Sequence, residues 1–115
     1  MTISIREGGN YARRCEPFQA GGRLFRERNL RGEHERTCDG CDVYVVYSYA
    51  TPIYVYTEGR WFANRRKYSH STGRHQRACA PHCEVQDVSE EVIRSIVEYG
   101  LAGHVAQVVR QAVAA

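Results

Sequence analysis

Between positions 43 and 70 apolar residues crowd together with a period of two. The run VYVVYSYA at 43–50 is rich in β-branched and aromatic side chains, which suit a pleated, buried surface. Pro52 interrupts it, which predicts a turn or bulge at Ala50–Pro52 before IYVYT resumes. Glu58-Gly59 is a turn pair, Arg60–Ala63 with Trp61 makes a third short strand, and Asn64 and Arg65 turn the chain into Lys67–His70. The alternation puts Tyr44, Val46 and Ser48 on one face and Val45, Tyr47 and Tyr49 on the other. Both faces are largely apolar, so each needs a cover.

The last third changes period. Ser89 is placed to cap a helix whose first turn carries Glu90 and Glu91, suited to the positive helix N-terminus, and Val88 can pack back onto Ile93. Val92, Ile93, Ile96 and Val97 form one helical stripe, and Gly100 is a natural stop. A second stripe follows at Leu101, Val105, Val108, Val109 and Ala112, with His104, Gln107, Arg110 and Gln111 opposite. The short link Gly100–Gly103 predicts a helix hairpin or one kinked helix. The pair has enough apolar surface to cover one sheet face or to form a homodimer contact.

Residues 1–42 carry little periodicity and many glycines. Ile3 and Ile5 suggest a short edge strand, and Phe18, Leu24, Phe25 and Leu30 read as isolated anchors. The pattern predicts an α+β fold, an antiparallel β-meander of three to four strands packed by C-terminal helices. It divides a single domain, 1–115, into an irregular N-terminal segment (1–42), the meander (43–70) and a helical part (71–115).

At 115 residues, 43% apolar and 25% charged, the chain has the size and composition of one ordinary globular domain. No apolar run approaches the roughly 20 residues of a membrane span, and the N-terminus lacks a signal-peptide core. The expected compartment is the cytoplasm of the producing cell. Fifteen of the sixteen basic residues are arginines. Residues 1–77 hold 14 basic and 8 acidic groups (+6), whereas 78–115 hold 2 and 5 (−3). A basic first two-thirds of that kind can meet phosphate, although a solvated surface has the same composition.

Five cysteines without an export signal point to packing, metal or reactivity rather than disulfides. Cys38 and Cys41 form a C-x2-C around Asp-Gly, and Cys79 and Cys83 form a second pair with His82 as substitute ligand. Two short-spaced pairs are a common way to build a tetrahedral, structural zinc site, and a returning meander would be needed to bring these together. Packing in the core is the competing explanation, and Cys15 is left over in either case.

The densest polar stretch is Tyr68–Gln76, YSHSTGRHQ. Ser71 or Thr72 is placed to cap a short helix running towards Cys79. Tyr68, His70, Thr72, Arg74, His75 and Arg77 are candidate binding residues for phosphate, with acid–base chemistry as a more demanding alternative. Capping and packing explain the same residues without a ligand. Tyr44, Tyr47, Tyr49, Tyr54 and Tyr56, near arginines, fit either a core or a sheet on which bases stack.

The string YVVYSYATPIYVY, then Trp61, then KYSHSTGRHQ resembles a group of small uncharacterised proteins of mycobacteriophages and other actinobacterial phages. The matching positions are Tyr44–Tyr49, Thr51–Ile53, Trp61, Tyr68, Ser69, Ser71, Thr72, Arg74, His75 and Gln76. The resemblance implies a phage accessory protein acting in the bacterial host cytoplasm, and brings no activity, cofactor or catalytic residue with it. The cysteine pairs lie outside its pattern.

Taken together, the sequence favours a non-enzymatic accessory protein that binds a host macromolecule, a protein partner first. Nucleic acid bound through the basic two-thirds is the alternative. A small phosphodiester- or nucleotide-processing enzyme using Tyr68, His70, Arg74 and His75 is the third.

Overall fold

A computed structural model describes residues 3–21 and 29–114. The anchors Leu24 and Phe25 therefore lie outside the described residues. The rest form six strands and three helices: α1 (Ile5–Arg13), β1 (Phe18–Ala20), β2 (Leu30–Arg36), β3 (Asp42–Ser48), β4 (Thr51–Thr57), β5 (Arg60–Ala63), α2 (His70–Ala78), β6 (Val85–Asp87) and α3 (Glu90–Ala114). The strands lie in chain order in one sheet, antiparallel except where β6 runs parallel to β5.

The α+β class stands, but the sheet has six strands, not three to four. The extra strands come largely from the segment expected to be irregular. Ile5 opens α1 instead of an edge strand, and only Ile3 makes a bridge, to Ala20. Ser4 caps α1 by accepting a hydrogen bond from Glu7 N at 3.1 Å. In β2 the buried positions are Leu30 and Gly32. The Arg31 guanidinium lies over the Tyr47 ring at 4.3 Å, so this charged position of β2 covers apolar surface. Gly32 is required by crowding: a Cβ there would collide with the Tyr44 hydroxyl and the Phe18 ring.

The β3–β4 hairpin turns at Tyr49-Ala50, with Tyr49 in the left-handed region at φ 57°. The register then shifts, leaving Ile53 as an extra residue opposite the Val46/Tyr47 step. That bulge accommodates Pro52 inside a central strand. Glu58 and Gly59 both take positive φ, 50° and 73°, as a two-residue hairpin favours. Residues 64–69 are extended loop, so Lys67–His70 does not continue the meander.

Each sheet face has its own core. Tyr44, Val46, Ile53, Tyr54 and Trp61 pack beneath α1 and α2, together with Ala12 and Cys79. Val43, Val45, Tyr47, Val55 and Phe62 meet Ile93 and Ile96 of α3. The C-terminal helix thus closes one face, and the first face needs α1, which the sequence reading did not anticipate. At Gly100, φ 79° breaks the helical path inside α3, giving one kinked helix. No helix among the described residues is long and apolar enough to cross a membrane.

Candidate functional site

The Tyr68–Gln76 stretch reaches the sheet as a helix with its cap one turn earlier than expected. Ser69 is the N-cap of α2, its hydroxyl accepting from Thr72 N at 3.2 Å, and neither Ser71 nor Thr72 serves as the cap. Thr72 and His75 lie one turn apart and both turn inward. Ser48, at the end of β3, donates to Thr72 Oγ1 at 3.0 Å and lies 2.7 Å from His75 Nδ1. All three are buried. Burial lowers the pKa of His75, with the neighbouring Arg74 charge acting in the same direction.

A second set of bonds ties the loop before α2 to the same hairpin. Asn64, fully buried, donates from Nδ2 to the Pro52 carbonyl at 3.2 Å and to Tyr68 Oη at 2.7 Å. Tyr68 Oη donates to Glu90 Oε1 at 2.6 Å, joining the loop to the start of α3. Gln76 Nε2 donates to the Asn64 and Arg66 carbonyls, and Tyr54 Oη donates to the Gln76 carbonyl at 2.6 Å. Burial raises the Tyr54 pKa to about 12, which keeps this hydroxyl a donor. No buried side-chain nitrogen or oxygen among the described residues lacks a partner. The network fixes α2 onto the sheet.

What α2 turns outward is different. Arg74 and Arg77 face a cleft of about 390 Å³ between α2 and α1, whose other walls are Ile5, Arg6, Arg13 and Ala78. Four arginines thus line one cleft with no acidic residue among its walls. They come from segments more than 60 residues apart, and the two helices meet because Gly9 lacks a side chain: a Cβ there would collide with the Ala78 carbonyl. Arg13 is fixed in place, donating to the Ala78 and Ala80 carbonyls at 3.1 and 3.2 Å and to Asn10 Oδ1 at 2.9 Å. It thereby covers the negative end of α2, where bare carbonyls would repel an anion. Arg6, Arg74 and Arg77 make no ion pair among the described residues, unlike Arg14, Arg31, Arg65 and Arg94. Guanidinium groups offer planar, paired donors that match phosphate oxygens.

Of the six candidate binding residues, then, Arg74 and Arg77 share the cleft. Thr72 and His75 turn inward, Tyr68 is bonded to Asn64 and Glu90, and His70 is exposed at the first position of α2. Arg6 and Arg13 were missed, since only the helix crossing brings them there. The tyrosines expected to stack bases divide likewise: Tyr44, Tyr47 and Tyr54 are core, Tyr49 is exposed and Tyr56 half-buried.

The cysteines are dispersed. Cys38 and Cys41 are exposed in the β2–β3 loop, where Cys38 N donates to the Glu98 carbonyl of α3. Cys79 is buried at the end of α2 in the core beneath α1, and desolvation lifts its thiol pKa to about 12. Cys83 is exposed before β6, with His82 exposed beside it. Among the described residues no three histidine, cysteine or acidic side chains converge as a metal-holding group.

No curated protein and no solved structure matches this chain. A family model does match, over residues 22–95, which takes in β2 to β6, the hairpin network and two of the four cleft arginines, Arg74 and Arg77. The chain belongs to the Family of unknown function (DUF8033).

Proposed function

We propose that this chain is a non-enzymatic accessory protein, phage-encoded, that binds the phosphate backbone of nucleic acid through the cleft between α1 and α2. One observation carries the reading: Arg6, Arg13, Arg74 and Arg77 line a single cleft without an acidic wall residue. Arginines placed this way, three of them without ion pairs among the described residues, gain most from a polyanion whose release of counterions favours binding. The geometry therefore weighs nucleic acid above the protein partner that the sequence favours. An enzymatic role is weaker, because Tyr68 and His75 are engaged in separate structural hydrogen bonds. The structural zinc remains a separate proposal.

The test is binding of a labelled oligonucleotide followed by fluorescence anisotropy. Arg74→Glu/Arg77→Glu should weaken binding at least about tenfold, a loss of about 1.4 kcal/mol. Arg110→Glu on the far end of α3 should change it little. Equal effects from both variants, or no binding by the unmodified chain, would defeat the reading.

A second reading has its own observation. Val105, Val108, Val109 and Val113, on the second half of α3, are 50–81% exposed. Residues 101–114 carry one formal charge, Arg110, opposite the stripe, so two copies can approach without like charges on the contact. This supports a homodimer through α3. Light scattering on a sizing column should then give twice the chain mass, and Val109→Glu should return it to one.

A further inference from the structure

Beside the arginine cleft lies a second one, of about 500 Å³, and Arg13 lines both. Its walls include Arg14, Cys15, Tyr56 and Trp61, with Glu84 as its acidic member. Tyr56 is half-buried, and its ring centroid is 5.1 Å from that of Trp61 at a tilt of 58°. Trp61 is 7% exposed and is held edge-on by Tyr44 and Tyr54 at 6.3 and 6.4 Å. A basic cleft thus shares one arginine with a second cleft, walled by a half-buried tyrosine ring on a rigid aromatic support.

From this we infer that the nucleic acid is single-stranded, with backbone phosphate in the arginine cleft and a neighbouring base seated against Tyr56. The inference rests on the proposed phosphate-binding reading and adds the strandedness. In a duplex the bases are paired and stacked inside the helix, so seating one in a recess costs the free energy of unpairing and unstacking it. A single strand splays its bases at little cost, and an aromatic ring accepts any of them by stacking. Arg13, fixed by its carbonyl and Asn10 bonds, sets the spacing between the two positions. Arg14, 5.1 Å over the Tyr11 ring and paired with Glu16, closes the outer wall.

Trp61 is the sole tryptophan, so any emission change arises at this residue, which lines this cleft and a neighbouring one with Val85 and Gln86. The experiment titrates the full chain with four probes: a single strand of about 12 nucleotides, the corresponding duplex, an abasic strand of equal length and inorganic polyphosphate. The single strand should bind at least about tenfold tighter than the duplex and alter Trp61 emission. The abasic strand and polyphosphate should bind without that change. Tyr56→Leu should cost the single strand about tenfold while leaving polyphosphate affinity as it was. Equal affinity for single strand and duplex, or the same emission change with the abasic strand, overturns the inference and leaves the arginine cleft standing. Failure of all four probes to bind overturns both. The comparison of probes needs no substitution, so it holds even if Tyr56→Leu fails to fold.

Discussion

His75 Nδ1 lies 2.7 Å from Ser48 Oγ, and neither side chain is more than 2% exposed. His75, one of the four residues of the enzymatic reading, is here half of a buried clamp between helix α2 and the end of strand β3. Its partner Thr72 completes the clamp at 3.0 Å. The clamp bears on the proposed phosphate binding because it sets which way α2 faces, and hence that Arg74 and Arg77 line the cleft with α1.

Removing the Ser48 hydroxyl leaves His75 Nδ1 buried without a partner, whereas Thr72 Oγ1 keeps the Ser69 hydroxyl. Ser48→Ala should therefore cost about 1–3 kcal/mol, seen as a Tm fall on the order of 5–10 °C. In a double-mutant cycle, Ser48→Ala/His75→Phe should cost less than the sum of the two single changes, since both polar groups are then gone. Strict additivity would contradict the clamp.

His75 also makes stability depend on pH. Its folded pKa is lowered by burial from the ordinary value of 6.5, so the unfolded chain binds more protons in the interval below 6.5. Stability should be full above that value and fall as pH drops below it. Glu90, whose pKa is lowered by the Tyr68 and Arg94 hydrogen bonds, adds its loss only below its ordinary 4.5. Urea midpoints measured from pH 7.5 to 5 should decline in the wild type and flatten in His75→Gln.

The central hairpin and the start of α3 were legible because β-branched period-two runs and the Ser89-Glu90-Glu91 cap are local signals. So was the face assignment of Tyr44, Val46 and Ser48 against Val45 and Tyr47. Tyr49, expected with the latter pair, sits instead in the hairpin turn against the His75 ring. Helix α1 was hidden by Gly8-Gly9, which depress helix propensity, although Ser4-x-x-Glu7 is a capping signature. Those glycines are there for approach: Gly8 packs on Phe18 and Ala20, and Gly9 on Ala78. Strand β2 was hidden by its charges, and β6 by having only three residues. The arginine cleft was illegible for a different reason, because Arg6 and Arg13 meet Arg74 and Arg77 only through the helix crossing.

Gly9→Ala separates helix propensity from packing. Propensity alone predicts a gain of about 1 kcal/mol. The collision with the Ala78 carbonyl predicts a loss of about 1–3 kcal/mol and weaker oligonucleotide binding, because α1 must move off α2. A higher Tm with unchanged affinity would count against the crossing.

Zinc is checked by chelation. If the cysteines serve packing alone, with Cys79 in the core and Cys38 and Cys41 in an exposed loop, EDTA leaves the Tm unchanged. A fall of several degrees with one zinc released per chain would instead establish a metal clip, of the kind that supplies folding energy directly.

The phosphate-binding account is tested most directly by the salt dependence of oligonucleotide affinity. Four phosphate contacts on a single strand predict a slope of log Kd against log salt of about 3, falling by about 1.4 in Arg74→Ala/Arg77→Ala. A slope near zero, or one unaltered by the double substitution, would contradict it.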